Sequence, residues 1–254
     1  MTSSASPTPT NSMKTNPAII QLSGVELSLP SAAGMVHILR GIDLAVHEGE
    51  SVGVVGPSGS GKSTMVMIMA GLERASKGRV TVDGADYAAM NEDALALFRR
   101  NAIGIVFQSF HLVPAMTALE NVAIPLELAG RRDAFERARA ELETVGLGHR
   151  LSHYPSQMSG GEQQRVALAR ACATEPKLIL ADEPTGNLDG ANGRAVVDLL
   201  FGAQKRLGTT LVLITHDASL AEHCHRVVRM EDGRIVSETR GTAQLPDSQK
   251  SAAQ

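Results

Sequence analysis

The chain has 254 residues, 43% of them hydrophobic, so it can bury the core of one large domain or two small ones, which excludes a peptide hormone or a disulfide mini-protein. Its 24 Lys and Arg against 27 Asp and Glu leave a net charge of -3, and aromatics at 3% are too few for stacking platforms, so no nucleic-acid partner is expected. No apolar run approaches the roughly 18 to 20 residues that span a bilayer, so any membrane role is expected to be peripheral.

The first 18 residues are rich in Ser, Thr, Pro and Asn and lack an apolar h-region; they are expected to be a disordered tail, not a secretory signal. Met13, followed at once by Lys14 and then the first apolar segment, is the expected start of translation. Strands are predicted over residues 19–29, 36–46, 51–55, 78–82, 103–106, 177–181, 210–215, 226–230 and 234–238. Residues 133–145 form an amphipathic helical pattern with Ala134, Ala138, Leu142 and Val145 on one face, and a second helix runs from Gly160 to Cys172. Residues 112–158 contain no good strand and read as a helical insert, and the tail from Gly241 onward is polar and expected to be disordered. Short apolar runs alternating with helical patterns predict an α/β fold, a mostly parallel sheet covered by helices. Cys172 and Cys224 are too few for a disulfide framework and read as reduced cytoplasmic residues.

Val52 to Val55 runs into Gly56-Pro57-Ser58-Gly59-Ser60-Gly61-Lys62-Ser63-Thr64, a G-x-x-x-x-G-K-S loop, and a helical pattern follows over residues 65–72. Its glycines let successive N–H groups turn inward around phosphate oxygens, and the helix behind adds its positive end. Lys62 supplies a charge for the outer phosphates and the Ser63 hydroxyl a ligand for Mg²⁺. Met65, Met67 and Met69 are expected to fill the core. Further on, the apolar strand Leu178-Ile179-Leu180-Ala181 ends in Asp182-Glu183, two carboxylates at the carboxyl end of a strand, where α/β sheets place their ligands. Asp182 suits Mg²⁺, and Glu183 suits taking a proton from an attacking water; alternatively, both cap the turn before Pro184.

The run Met158-Ser159-Gly160-Gly161-Glu162-Gln163-Gln164-Arg165 resembles the signature motif of ABC-type ATPases, with Met158 and Glu162 in place of the commonest Leu and Gln. The resemblance covers residues 19–239 and implies a P-loop NTPase core with an antiparallel N-terminal β portion and an inserted helical subdomain. It implies that Ser159, Gly160 and Gly161 meet the γ-phosphate of ATP held on another subunit's loop, in a head-to-tail homodimer with two ATPs between the subunits. Gln108 resembles the residue that reaches metal and water when the insert swings in, and His216 the switch histidine at the γ-phosphate. Asn187-Leu188-Asp189 resembles the loop that crosses the dimer interface, with Asp189 at the nucleotide. A P-loop kinase or GTPase would leave Ser159 to Glu162 and His216 without a role, and the family's non-transport members usually carry a long coiled coil or two motor domains in one chain.

Residues 107–114, through Thr117-Ala118-Leu119-Glu120-Asn121-Val122, look like the branch that energises lipoprotein release and macrolide export. That implies a separate integral membrane permease with a periplasmic domain, and a motor lying on the cytoplasmic face of the inner membrane. Its docking surface would lie between Gln108 and Asn121, although Phe110, Leu112 and Val113 equally suit packing under the insert. The family usually stacks adenine on an aromatic after the first strand, yet the first aromatic here is Tyr87. Leu29, Pro30 or His37 would have to cover the base, so weak base discrimination is expected. His223-Cys224-His225 point in different directions on a helix and do not make a metal site, and the pairs Arg99-Arg100 and Arg131-Arg132 read as solvated faces, one of which could alternatively meet lipid headgroups.

Overall fold

A computed structural model describes residues 18–31, 34–188 and 190–243; both expected tails and Met13 fall outside these apart from Ala18 and residues 241–243, as does Asp189. The elements in chain order are β1 (Ala18–Ser31), β2 (Gly34–His47), β3 (Ser51–Val55), α1 (Lys62–Met69), β4 (Lys77–Val82), β5 (Ala85–Asp86), α2 (Glu92–Ala102), β6 (Ile103–Phe107) and α3 (Ala118–Leu128). They continue with α4 (Ala134–Thr144), α5 (Gly160–Cys172), β7 (Leu178–Asp182), α6 (Gly190–Leu207), β8 (Thr210–Ile214), α7 (Ala218–Ala221), β9 (Arg226–Glu231) and β10 (Arg234–Arg240). All nine expected strands are present, with ends that differ by at most two residues. The expected helix after the phosphate loop starts earlier, at Lys62, and ends at Met69, where Gly71 with φ 64 stops it.

β2, β1, β4 and β5 form an antiparallel sheet, and the second sheet has the order β10-β9-β3-β8-β7-β6. In β1 the inward residues change parity, from Ile20 and Leu22 to Val25 and Leu27, because the register with β2 shifts between Leu22 and Val25. Gly24 with φ 57 supplies the extra residue of that bulge, so both halves of a long strand face one core. β6, β7, β8, β3 and β9 run parallel. β3, β7 and β8 are buried almost throughout and read as continuous apolar runs because a parallel sheet is covered on both faces.

A separate apolar cluster joins α3, α4 and α5 through Val122, Leu126, Ala138, Leu142, Val166 and Ala169. Thr117 and Glu120 close a capping box at the start of α3, and the fully buried Asn121 ties down the loop before it. Its side chain accepts from the Val113 N–H at 2.7 Å and donates to the Val113, Met116 and Thr117 carbonyls.

Two sequence expectations are corrected. Met65 and Met69 are fully buried but Met67 is 42% exposed, since residues two apart on a helix point to opposite sides. Arg99 does not belong to a solvated face: only 20% of its side chain is exposed, and it donates to the Gly71 carbonyl at the end of the α1 segment. Cys172 and Cys224 are buried free thiols pushed up to about 12 by burial, so neither is a nucleophile at neutral pH.

Candidate functional site

Parallel pairing puts four motifs on one rim. Phe107 pairs with Asp182, Asp182 with Ile214, and Ile214 with Val54, so the residues that follow these strand ends emerge at one level of the sheet. These are Gln108 after β6, Asp182 and Glu183 at the end of β7, His216 beyond β8 and the Gly56 loop after β3. Gly56, Ser58, Gly59, Gly61, Lys62, Ser63, Thr64, Gln108, Glu183 and His216 line one cleft of about 460 Å³. Sequence reasoning did not anticipate Ile38 and Gly186, which also line it. Neither carries a chemical signal; each reaches the cleft only through pairing and loop geometry.

The loop requires its glycines. Gly61 has φ 94, and a Cβ there would sit 2.7 Å from Leu39 Cδ2; Gly56 has φ 155, and its Cβ would meet the Met230 carbonyl. No side chain caps α1 and its first turn holds no acidic residue, so its N-terminal end is left for an anion. Lys62 is 8% exposed, and its Nζ donates to the Gly56 and Pro57 carbonyls at 2.9 Å each. Ser60 Oγ is buried among the described residues with no hydrogen-bond partner. An uncapped helix start, a buried cation and a spare hydroxyl together fit a polyphosphate.

Ser63 Oγ donates to Asp182 Oδ1 at 3.0 Å, which brings the expected hydroxyl and carboxylate ligands together across 119 residues. Burial pushes the Asp182 carboxyl up and the Glu183 charge adds to it, against the Ser63 hydroxyl. A hard oxygen pair in need of a cation fits Mg²⁺. Glu183 has φ 47, a conformation that an L-residue keeps only when its surroundings enforce it. Here its N–H donates to the Ile214 carbonyl at 3.0 Å, and His216 Nδ1 lies 2.7 Å from its Oε2. Glu183 is thus held towards the cleft by β8 and His216, and does not cap the turn. Gln108 lies against Gly186, where a Cβ would sit 2.6 Å from its Nε2, and Asn187 Nδ2 donates to the Gln108 carbonyl at 2.9 Å.

This sheet, loop and acid pair can be set beside known proteins. The family model for ABC transporters matches residues 39–186, more than half of the chain. The chain belongs to the ABC transporter family. This ABC ATPase is 49% identical over 219 residues to "Lipoprotein-releasing system ATP-binding protein LolD 2" of Caulobacter vibrioides, covering 85% of the chain and 96% of that protein. It is 46% identical over 91% of its length to "Macrolide export ATP-binding/permease protein MacB" of Marinobacter nauticus, of which it spans 36%. A dimeric post-hydrolysis structure of the ATP-binding cassette MJ0796 bound to ADP and Pi superposes with a TM-score of 0.82 at 37% identity, over 89% of this chain and 100% of that one. The chain is an ATP-hydrolysing motor subunit of this transporter family.

In this ABC ATPase, the signature residues stand apart from the cleft: its described lining includes none of Ser159, Gly160 and Gly161. Ser159 Oγ accepts from the Glu162 N–H at 3.3 Å and Glu162 Oε2 accepts from the Ser159 N–H at 2.8 Å, a capping box at the start of α5. The Ser159 N–H and one face of its hydroxyl are therefore already engaged. Hydrogen bonding from the Ser159 N–H holds the Glu162 carboxyl below its usual range, and Arg150 Nε lies 2.9 Å from it. Leu29 is 39% exposed, and Ser28 Oγ and His37 Nδ1 lie 2.7 Å apart, so the aromatic-free strand pair β1–β2 offers aliphatic side chains and an engaged imidazole.

Proposed function

We propose that two copies of this chain close head-to-tail on two ATP molecules, each ATP held by the Gly56–Thr64 loop of one copy and by Ser159, Gly160 and Gly161 of the other. The observation that carries this is the separation of these two helix starts within a single chain. MJ0796, similar over nearly its whole length, was solved as a dimer. In this arrangement Ser63 and Asp182 hold Mg²⁺, joined by Gln108 as the insert moves, and bound Mg²⁺ neutralises charge on the outer phosphates. Glu183 takes the proton of the attacking water, His216 and Asp189 reach the nucleotide, and hydrolysis reopens the pair.

Cross-linking tests the geometry. With Ser58→Cys and Ser159→Cys in one chain, a short bis-thiol reagent should link two copies only with ATP and Mg²⁺ present. Buried Cys172 and Cys224 should not react, so equal linking without nucleotide, or links confined to single chains, would overturn head-to-tail closure.

The motion drives a separate permease of the lipoprotein-release or macrolide-export type, with a periplasmic domain, from the cytoplasmic face of the inner membrane. Support for the docking surface between Gln108 and Asn121 comes from its side chains. Leu112 packs against the apolar cluster of α3, α4 and α5, so it serves packing, while Val113 is 37% exposed and belongs to no cluster. Val113→Asp should reduce co-purification with membranes containing the cognate permease by about tenfold, the equivalent of roughly 1.4 kcal/mol. Undiminished recovery would place the permease elsewhere.

A further inference from the structure

Three side chains, of which Arg170 lies outside every expected motif, grip the backbone on either side of Gln108. Gln164, fully buried on α5, donates through Nε2 to the Phe107 carbonyl at 3.3 Å, and Asn187 donates to the carbonyl of Gln108 itself. Arg170, near the other end of α5, donates through Nη2 to the Phe110 carbonyl at 2.8 Å and through Nη1 to the His111 carbonyl at 2.6 Å. Phe110 and His111 have φ 59 and 48, two consecutive L-residues in the left-handed region. Such a pair persists only where the surroundings over-determine it, and a planar guanidinium fork meets two carbonyls at once as no ammonium can. Burial lowers the Arg170 pKa, yet a guanidinium stays charged, so both bonds are charge-assisted.

α5 is also bound to the insert. Val166 and Ala169 belong to the cluster shared with α3 and α4, and the Phe110 ring reaches to 3.7 Å from where a Cβ on Gly160 would lie. A displacement of α5 with the insert therefore acts on residues 107–111 through hydrogen bonds to their carbonyls. We propose that Arg170 is a positioning residue for Gln108: by holding the left-handed Phe110-His111 turn, it makes the place of the Gln108 side chain in the cleft follow α5. This rests on the assignment of Gln108 as the side chain that faces metal and water.

The test compares Arg170→Met, Arg170→Lys and Gln108→Ala with the parent protein. The readouts are amide hydrogen exchange of the 108–113 segment and the Mg²⁺ concentration giving half-maximal ATPase. Exchange of the segment in Arg170→Met should accelerate about tenfold, with Arg170→Lys intermediate because it satisfies one carbonyl of the two. The Mg²⁺ midpoint should rise in both Arg170 variants in the direction set by Gln108→Ala, with Mg²⁺-free nucleotide affinity unchanged. A merely structural role would lower the melting temperature without moving the midpoint. Exchange within about twofold of the parent in Arg170→Lys, which keeps the charge and should fold even if Arg170→Met does not, would overturn the proposal. So would an unmoved Mg²⁺ midpoint beside a shifted one in Gln108→Ala. If Gln108→Ala itself moved nothing, the assignment of Gln108 would fall, and the exchange readout would still decide the role of Arg170 in holding the turn.

Discussion

Glu183→Gln should lower ATP hydrolysis by about 10² to 10⁴-fold, the usual contribution of a positioned general base, while leaving nucleotide binding intact. The amide matches the carboxylate in shape and can still accept from His216 Nδ1, which lies 2.7 Å from Glu183 Oε2, but it cannot take a proton from water. The backbone that aims it, with φ 47 and an N–H held by the Ile214 carbonyl, is unchanged by the substitution. With chemistry blocked and closure allowed, a dimer should accumulate in ATP and Mg²⁺ that the parent protein forms only transiently. Phosphate release and sedimentation velocity measure the two effects. Hydrolysis at the parent rate would remove Glu183 as the base, whereas lost hydrolysis without a dimer would point to damage at the cleft.

Lys62→Ala should weaken ATP binding by about 10 to 100-fold, since a hydrogen bond to a charged group is worth about 1.5–3 kcal/mol. Lys62 is nearly buried and its Nζ rests on the Gly56 and Pro57 carbonyls, at the base of the loop where outer phosphates would lie. The ammonium is preorganised, so little side-chain entropy is lost when it turns to phosphate. Because Lys62 acts on phosphates, ATP and GTP should lose affinity by the same factor, which calorimetry without Mg²⁺ would show. The absence of any aromatic before Tyr87 points the same way, leaving phosphates rather than the base to dominate binding. Affinity within about threefold of the parent would mean that the loop N–H groups and helix end suffice alone.

The local devices of the site were legible in the chain order. Gly56 to Thr64 is contiguous, and its function depends on torsions at Gly56 and Gly61 that residue type alone dictates, so the loop could be read before any contact was known. The same holds for the apolar strand that delivers Asp182 and Glu183 and for the Ser159 start of α5, whose observed span is Gly160–Cys172. Met67 and Arg99 were misjudged because composition does not tell which side of a helix faces the core. α2, α6 and α7 lie outside every helical pattern expected from the sequence.

By itself, then, the sequence determined the α/β alternation, the phosphate loop and the identity of the acid pair, because each is encoded in the torsions and spacing of neighbouring residues. Only the tertiary structure decided which groups act together. Parallel pairing of β6, β7, β8 and β3 brings residues as distant as Ser63 and Asp182 to 3.0 Å, and it keeps Ser159 away from the cleft of its own chain. Arg170 had no signal at all: an arginine inside a helix carries no mark of its partners, and hydrogen bonds to the carbonyls of Phe110 and His111, 60 and 59 positions away, exist only once the sheet has set α5 against β6.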